Sequence, residues 1–553
     1  FWDHAMISYP EQATHVGYPG QNDRWTDQSL DGHKQRNDMV VCQLKALDQI
    51  SKKTFTKTDQ LNFDLLKFTL STEVEGQEFP KDFLAFNHLS GFHISLTSVI
   101  DSMPTANQKD YENILSRLSK IPQVLKQAES LLREGANKKV TAVKMFLEKT
   151  PAQIHKVIPA NVEESPLFLK IKDANDKTKA QGKAIITSTV YPAFNQFLQF
   201  VTTEYIPKAK EHISWSEMPD GKNWYNYLVK YHTTTAMTAK EVHKLGLEEV
   251  ERIKKEMQKI RDGVNFKGDA KAFHQFLLTD PQFYFLKSEE LMAGYRDVAK
   301  RADAELPKFF KTLPRLSYGV REMPSYKSAS APAAYYLSGS IEGGRAGFFE
   351  ANTYDLKGRP KWGMEALTIH EAVPGHHLQL ALAQELQGVP EFRKHSMQTA
   401  FVEGWGLYSE SLGDEMGFYK DPYSKYGQLT YEMWRAIRLV IDTGIHAKGW
   451  TREQAISYFV ELIPKSRLEI EVEVDRYITW PGQALAYKVG ELKFKELKSR
   501  AKSELGDKFD IRLFHDQVLG SGSLPMSVLE KQFSLWLAKQ KSELKGGGRS
   551  VEH

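Results

Sequence analysis

WGMEALTIHEAVPGHHLQLALAQELQG, residues 362–388, repeats its apolar residues at helical spacing, yet carries three histidines, a glutamate and a Pro-Gly pair inside that pattern. In a zinc hydrolase helix of the H-E-x-x-H kind, two histidines one turn apart face one ion, and the glutamate beside the first polarises water. Here the position four after His370 is Pro374, and the next histidines are His376 and His377. On a straight helix they would lie roughly 9 and 10.5 Å along the axis from His370, too far for two ligands at about 2 Å from one ion. Pro374 removes the N–H that would bond the carbonyl of residue 370 and crowds that carbonyl, so the helix must deform there. The expectation is a local bulge, with Gly375 supplying backbone freedom, that returns a later histidine to the metal. The alternative is that Pro-Gly ends one helix and starts another, leaving three surface histidines.

A third ligand has to come from elsewhere. AFVEGWGLYSESLGDEMG, residues 400–417, places Glu403 in an apolar, small-residue helix, where an unpartnered carboxylate is costly to bury and a metal would offset the cost. Glu410, seven positions on and near the same face, is a candidate partner for a ligand histidine.

Residues 35–310 read as mostly helical: AMTAKEVHKLGLEEVERIKKEMQKIRDGV (236–264) shows the period, and Pro80, Pro104, Pro122, Pro151, Pro159 and Pro166 suit helix-to-helix turns. Between 313 and 356 the chain turns aromatic and β-branched with Pro and Gly between runs, which predicts a small antiparallel sheet. Helical spacing then resumes. LEIEVEVD (468–475) alternates like a strand, but its neighbours favour helix. The expected fold is mainly α, a large two-lobed helical body with that sheet preceding the active-site helix. The expected regions are 1–312, mostly helical; 313–545, with the sheet and the HEAVPGHH helix; and 546–553, a linker or tag remnant.

The net charge of +4 over 553 residues gives no field for nucleic acid, and none is expected as a partner. Cys42 is the only cysteine, so metal must sit on His and carboxylate. No run approaches 18 apolar residues, so no transmembrane helix is expected. The chain starts at Phe1, which suits a removed export or lipoprotein leader; an exported or periplasmic location is expected, with cytoplasmic as the alternative. Oligomeric state is not legible.

HEAVPGHHLQL and FVEGWGLYSE together resemble the bacterial domain-of-unknown-function family 885, grouped with gluzincin-type zinc metallopeptidases. The resemblance extends through GSIEGGRAGFFEANTYD (339–355), YGQLTYEMWRAIRLVIDTGIHAKGW (426–450), RYITWPGQALAYKVG (476–490) and FHDQVLGSGSLPMSVLE (514–530), and more weakly YPEQATHVGYPG (9–20). More distantly, H-E…G-H followed by F-V-E is similar to thimet oligopeptidase and neurolysin. That likeness implies His370, His376 and Glu403 as ligands of Zn2+, with His377 the alternative to His376, and Glu371 as general base. It implies a metallopeptidase acting on short peptides. A zinc amidase on a non-peptide or cell-wall-derived amide, and a catalytically inactive peptide-binding protein, are the rival readings.

WRAIRLVIDTGIH (434–446) strings Arg435, Arg438, Asp442 and His446 along one stripe of an apolar helix, which needs partners or a ligand. Arg438 or Arg435 would grip a substrate carboxylate, or tie helices together; Asp442 would support the centre and His446 would take part in catalysis. Tyr487 would donate to an oxyanion, as tyrosines do in the resembling peptidases, or pack as a core phenol. Arg345, in the Gly-rich turn EGGRAG, can reach a cleft and would take part in catalysis, and Tyr354 would contact substrate there or pack on the sheet. GFFEANT would offer a strand edge to an extended peptide. His515 reads as a satisfied core histidine.

Overall fold

The computed structural model describes residues 1–324, 328, 332–341 and 344–546; the expected linker remnant lies, apart from Gly546, outside the described residues. The chain forms two compact units, Phe1–Trp224 and Tyr225–His553. The division falls well before the change of composition at 313, because helices expected in the first region pack into the second unit's core. Helix α2 (Ala239–Gly263) lies along α7 (Pro422–Lys448), so closely that a Cβ on Gly246 would meet Leu439 at 2.7 Å.

In the first unit the organising element is α1 (Gln108–Asn137), started by a capping box between Asn107 and Asp110. Ile114, Leu118, Ile121, Leu125 and Leu132 bury its apolar face, at the three-to-four-residue spacing that makes the helix amphipathic. Pro122, expected at a turn, sits inside this helix: a missing N–H costs one backbone bond, which 30 otherwise helical residues absorb. Arg117 on the same helix is fully buried and donates to the carbonyls of Arg24, Pro10 and Gln21 and to the Thr14 hydroxyl at 2.8–3.2 Å. It thereby fixes the opening segment YPEQATHVGYPG, and burial lowers its own pKa to about 10.

The second unit holds α3 (Ser288–Phe309), then β1 (Tyr318–Glu322), β2 (Ala334–Leu337) and β3 (Gly347–Ala351) in the order β1-β3-β2. The sheet is mixed, not antiparallel throughout. β2 pairs antiparallel with β3, as neighbours joined by a turn do, whereas β1 and β3 run parallel, because β2 is threaded on the far side of β3. GFFEANT therefore forms the central strand, and its edges are taken.

Helices α4 (Met364–Glu371), α5 (His376–Gln384) and α6 (Thr399–Leu412) follow, then α7, α8 (Arg467–Thr479), α9 (Ala486–Leu505), α10 (Ile511–Leu519) and α11 (Met526–Gly546). The segment LEIEVEVD lies in α8, which a Ser466/Glu469 capping box starts. No described helix is long and apolar enough to cross a membrane.

Candidate metal centre

The distorted histidine spacing resolves as two helices. α4 ends at Glu371, residues 372–375 leave helical geometry, and a new helix starts at His376. Two bonds staple the crossing: Gly375 N–H donates to the Ile369 carbonyl at 3.0 Å and His377 N–H to Ala372 at 3.1 Å. Gly375 is required there, since a Cβ would lie 1.9 Å from the His370 carbonyl oxygen. A continuous bulged helix is thus corrected to a break. The break nonetheless returns His376 to His370, with ring centroids 4.7 Å apart and rings nearly perpendicular at 87°.

The opposing carboxylate comes from α6. Glu403 Oε2 lies 3.8 Å from Nε2 of His370 and 3.6 Å from Nε2 of His376, and the three donor atoms all fall within 4.8 Å of one another. Ligands at about 2.1 Å around a tetrahedral ion stand roughly 3.4 Å apart, so this spacing suits one zinc-sized ion. The two glycines flanking Trp405 make room. A Cβ on Gly404 would meet the Gly490 backbone of α9 at 2.5 Å, and one on Gly406 would meet the His370 ring at 2.7 Å.

Each histidine is held from behind. Nδ1 of His370 is 2.8 Å from Glu410 Oε1, an acceptor that keeps the ring proton on Nδ1 and leaves Nε2 facing the centre. Gln379 Nε2 donates to the Val402 carbonyl at 2.8 Å and lies 2.9 Å from Nδ1 of His376. Arg435 reaches Glu410 Oε1 at 3.4 Å and the Tyr431 carbonyl at 3.2 Å. His377 points elsewhere: the Tyr336 hydroxyl meets its Nδ1 at 2.8 Å, the Tyr318 ring covers it, and burial lowers its pKa to about 4.

Charges in the centre are shifted in a connected way. Burial raises Glu371 to about 7 and Glu410 to about 7. Burial would raise Glu403 too, but the hydrogen bond and charge of His376 take it down to about 2. His376 is raised, since Glu403 outweighs its burial; His370 is lowered well below its ordinary value by burial and by His376. Glu371 Oε2 accepts the backbone N–H of Tyr336 on β2 at 2.8 Å, so the sheet's edge strand and the carboxylate beside the first histidine are fastened together.

Of the stripe on α7, only the arginines reach toward this centre. Arg438 donates through Nε to the Tyr477 hydroxyl at 2.9 Å and through Nη2 to Glu473 at 3.0 Å, and it stacks on the Tyr487 ring. Asp442 does not back a histidine. It accepts the Tyr225 hydroxyl at 2.6 Å and the Gly482 N–H at 3.0 Å, and burial raises its pKa to about 7. His446 departs from the expected catalytic place: it has no solvent exposure, and its Nε2 contacts the Tyr477 carbonyl at 3.0 Å. Arg345 is exposed in the turn between β2 and β3, its backbone bridged to Ser340, and part of that EGGRAG turn falls outside the described residues. Tyr354 is exposed after β3. His515 is satisfied in the core by Tyr408 and the Phe309 carbonyl.

Sequence reasoning passed over Arg476 on α8, which donates through Nη2 to Gln483 Oε1 at 2.7 Å and to the Tyr487 hydroxyl at 3.2 Å. Its positive charge lowers the Glu403 pKa. Gln379 and the Tyr336 backbone were likewise unread. Two glycines inside one helix, at 404 and 406, were the available signal of close packing.

Two solved structures resemble the chain along nearly its whole length. One, from Colwellia psychrerythraea, is described as a "putative lipoprotein"; it is 27% identical over 97% of each chain, with a TM-score of 0.92. The other, from Shewanella oneidensis, carries the same description with the words "of unknown function"; it is 20% identical over 97% of this chain and 98% of that one, at a TM-score of 0.76, and shows a shared fold. No curated protein matches the chain. The pattern of the DUF885 family, described as a bacterial protein of unknown function, matches residues 10–533, so the chain belongs to that family.

Proposed function

We propose that the protein is a metal-dependent hydrolase, a zinc metallopeptidase acting on short peptides. The observation carrying this reading is the convergence of Nε2 of His370, Nε2 of His376 and Oε2 of Glu403, with Glu371 one residue from the first ligand. His370, His376 and Glu403 would hold the zinc, which would supply Lewis-acid chemistry at the point where their donor atoms meet. Glu371, buried and tethered through one oxygen to the Tyr336 N–H, takes a proton from the attacking water and passes it to the leaving amine. Glu410, as the acceptor at Nδ1, holds the His370 imidazole in orientation. Tyr487, whose hydroxyl accepts from Arg476, keeps its own proton to donate to a developing oxyanion. β2 is an edge strand, and its Tyr336 N–H bonds Glu371, so an extended peptide lying along that edge passes the base.

The likeness to thimet oligopeptidase and neurolysin belongs to this proposal, with a broken helix in place of a continuous one. The "putative lipoprotein" descriptions of both similar structures support an exported location. Metal analysis tests the centre: protein prepared without added zinc carries one zinc per chain, and His370→Ala carries none. Glu371→Gln keeps the zinc and loses peptide cleavage by at least about a hundredfold. Turnover of non-peptide amides without peptide cleavage moves the reading to an amidase. Absence of metal from both proteins replaces the hydrolase with a binding protein.

A further inference from the structure

Arg476 is unlike the other two guanidiniums near the centre. Arg435 is spent on Glu410 and its own helix, and Arg438 on Glu473 and Tyr477; both are almost fully buried. The Arg476 side chain keeps 24% of its surface exposed. Among the described residues its close side-chain hydrogen bonds go to neutral oxygens, of Gln483 and Tyr487, and its carboxylate partner, Glu473, stands 3.7 Å away and is held at 3.0 Å by Arg438. Tyr487, Glu473 and Tyr477 stabilise its charge on the protein side, but among the described residues no carboxylate forms a close pair with it, and part of the guanidinium stays open to solvent. Three guanidiniums and a divalent ion would face the four carboxylates Glu371, Glu403, Glu410 and Glu473, leaving one positive charge for a ligand anion. Trp480, four residues along α8 past Arg476, leaves half its surface exposed 5.9 Å from that guanidinium, a flat apolar wall beside a cation. Tyr487 links the two functions, since its hydroxyl is bonded to Arg476 and its ring is stacked on Arg438.

We propose that Arg476 receives a carboxylate on the leaving-group side of the scissile bond, the free C-terminus of the peptide, so that the enzyme cuts near chain ends. A planar guanidinium that is part exposed matches a carboxylate. Gln483 and Tyr487 fix its orientation in advance, and Trp480 packs the terminal side chain. This inference rests on the peptidase reading.

Paired peptides of one sequence, ending in a carboxylate or an amide, test it on zinc-loaded protein with intact-mass readout. The acid is expected to be cleaved at least about tenfold faster in kcat/KM than the amide, through KM. Arg476→Gln should collapse that ratio by slowing the acid more than the amide, and Arg476→Lys should restore part of it. Equal cleavage of acid and amide by the native protein, or equal loss of both in Arg476→Gln, overturns the proposal. An amide peptide carrying glutamate in its last position, cut as fast as the acid and slowed by Arg476→Gln, keeps the carboxylate site and moves its source to a side chain. Binding by Glu371→Gln protein, followed calorimetrically, separates the two readings. Tighter binding of the acid, lost with Arg476→Gln, in a protein whose native form cleaves neither peptide would retire the peptidase and keep the carboxylate site.

Discussion

Two buried polar clusters sit in the second unit, and they are built on opposite principles. In one, Lys488 of α9 places its ammonium 2.9 Å from Glu249, 2.7 Å from Glu432 and 2.7 Å from Glu491, with Arg252 and Lys495 closing the outer side. Every charge there faces an opposite charge, and the carboxylate of Glu432 is held well below its ordinary pKa although its burial alone would raise it. In the other, the two imidazole Nε2 atoms and the Glu403 carboxylate face a common point, and the charge that Glu403 meets there is that of a titratable imidazole, His376. A buried cluster that neutralises itself with permanent charges ties helices together; one balanced by a proton on an imidazole can exchange that proton for a metal ion, as proposed for this site.

The sharpest way to break this contrast is to remove the central charge of the first cluster. Lys488→Met leaves three carboxylates with only Arg252 and Lys495 to meet them and should destabilise the protein by about 3–5 kcal/mol, read by denaturant midpoint, while the folded fraction keeps one zinc per chain. Loss of zinc with little loss of stability would reverse the assignment of the two clusters. At the metal centre the converse is expected. His376→Ala takes from Glu403 the imidazole that offsets its burial, so the metal-free protein also loses stability, but the distinguishing result is that stabilisation by added zinc, about 4 kcal/mol at a thousand times Kd, is abolished. A smaller effect comes from the histidine's support: Glu410→Gln should weaken zinc binding about 10–100-fold by competition with a chromophoric chelator, with stoichiometry retained. Unchanged affinity would remove Glu410 from that role.

The sequence was legible where local rules suffice. The 3.6-residue period of α2 and its Thr238/Glu241 capping box needed no tertiary information, and the costs of an unpartnered Glu403 and of Pro374 pointed to the centre before any coordinates. It was less legible where long-range geometry decides. Both strand pairings of β3 obey the same composition, so only threading distinguishes parallel from antiparallel. The polar stripe on α7 has one helical phase but diverging partners: Arg435 and Arg438 turn toward Glu410 and Glu473, while Asp442 caps the Gly482 turn. Arg476 sits in a segment whose alternation gave no hint of α6 or α9, so its neighbours had to be seen.

The mildest test uses pH, and the sign follows from who holds protons when metal is absent. His376 is raised and bound to Glu403, and Glu371 and Glu410 are raised to about 7. A carboxylate whose folded value lies above its unfolded one contributes stability that is fully present below the unfolded value and lost as pH rises through the folded one. The metal-free protein should therefore lose stability between pH 5 and pH 8, through the region of about 7 where these groups ionise against one another. Metal needs Nε2 of His376 deprotonated and tolerates ionised Glu371 and Glu410, so binding expels protons and tightens about tenfold per pH unit for each proton released. The gap in melting temperature between zinc-loaded and metal-free protein should consequently widen from pH 5.5 to pH 8. In His376→Ala no gap should open at any pH, whereas the Lys488 cluster, whose ions are already mutually satisfied, gives both forms the same background. A native gap that narrows on raising the pH would mean that the three donor atoms do not share an ion.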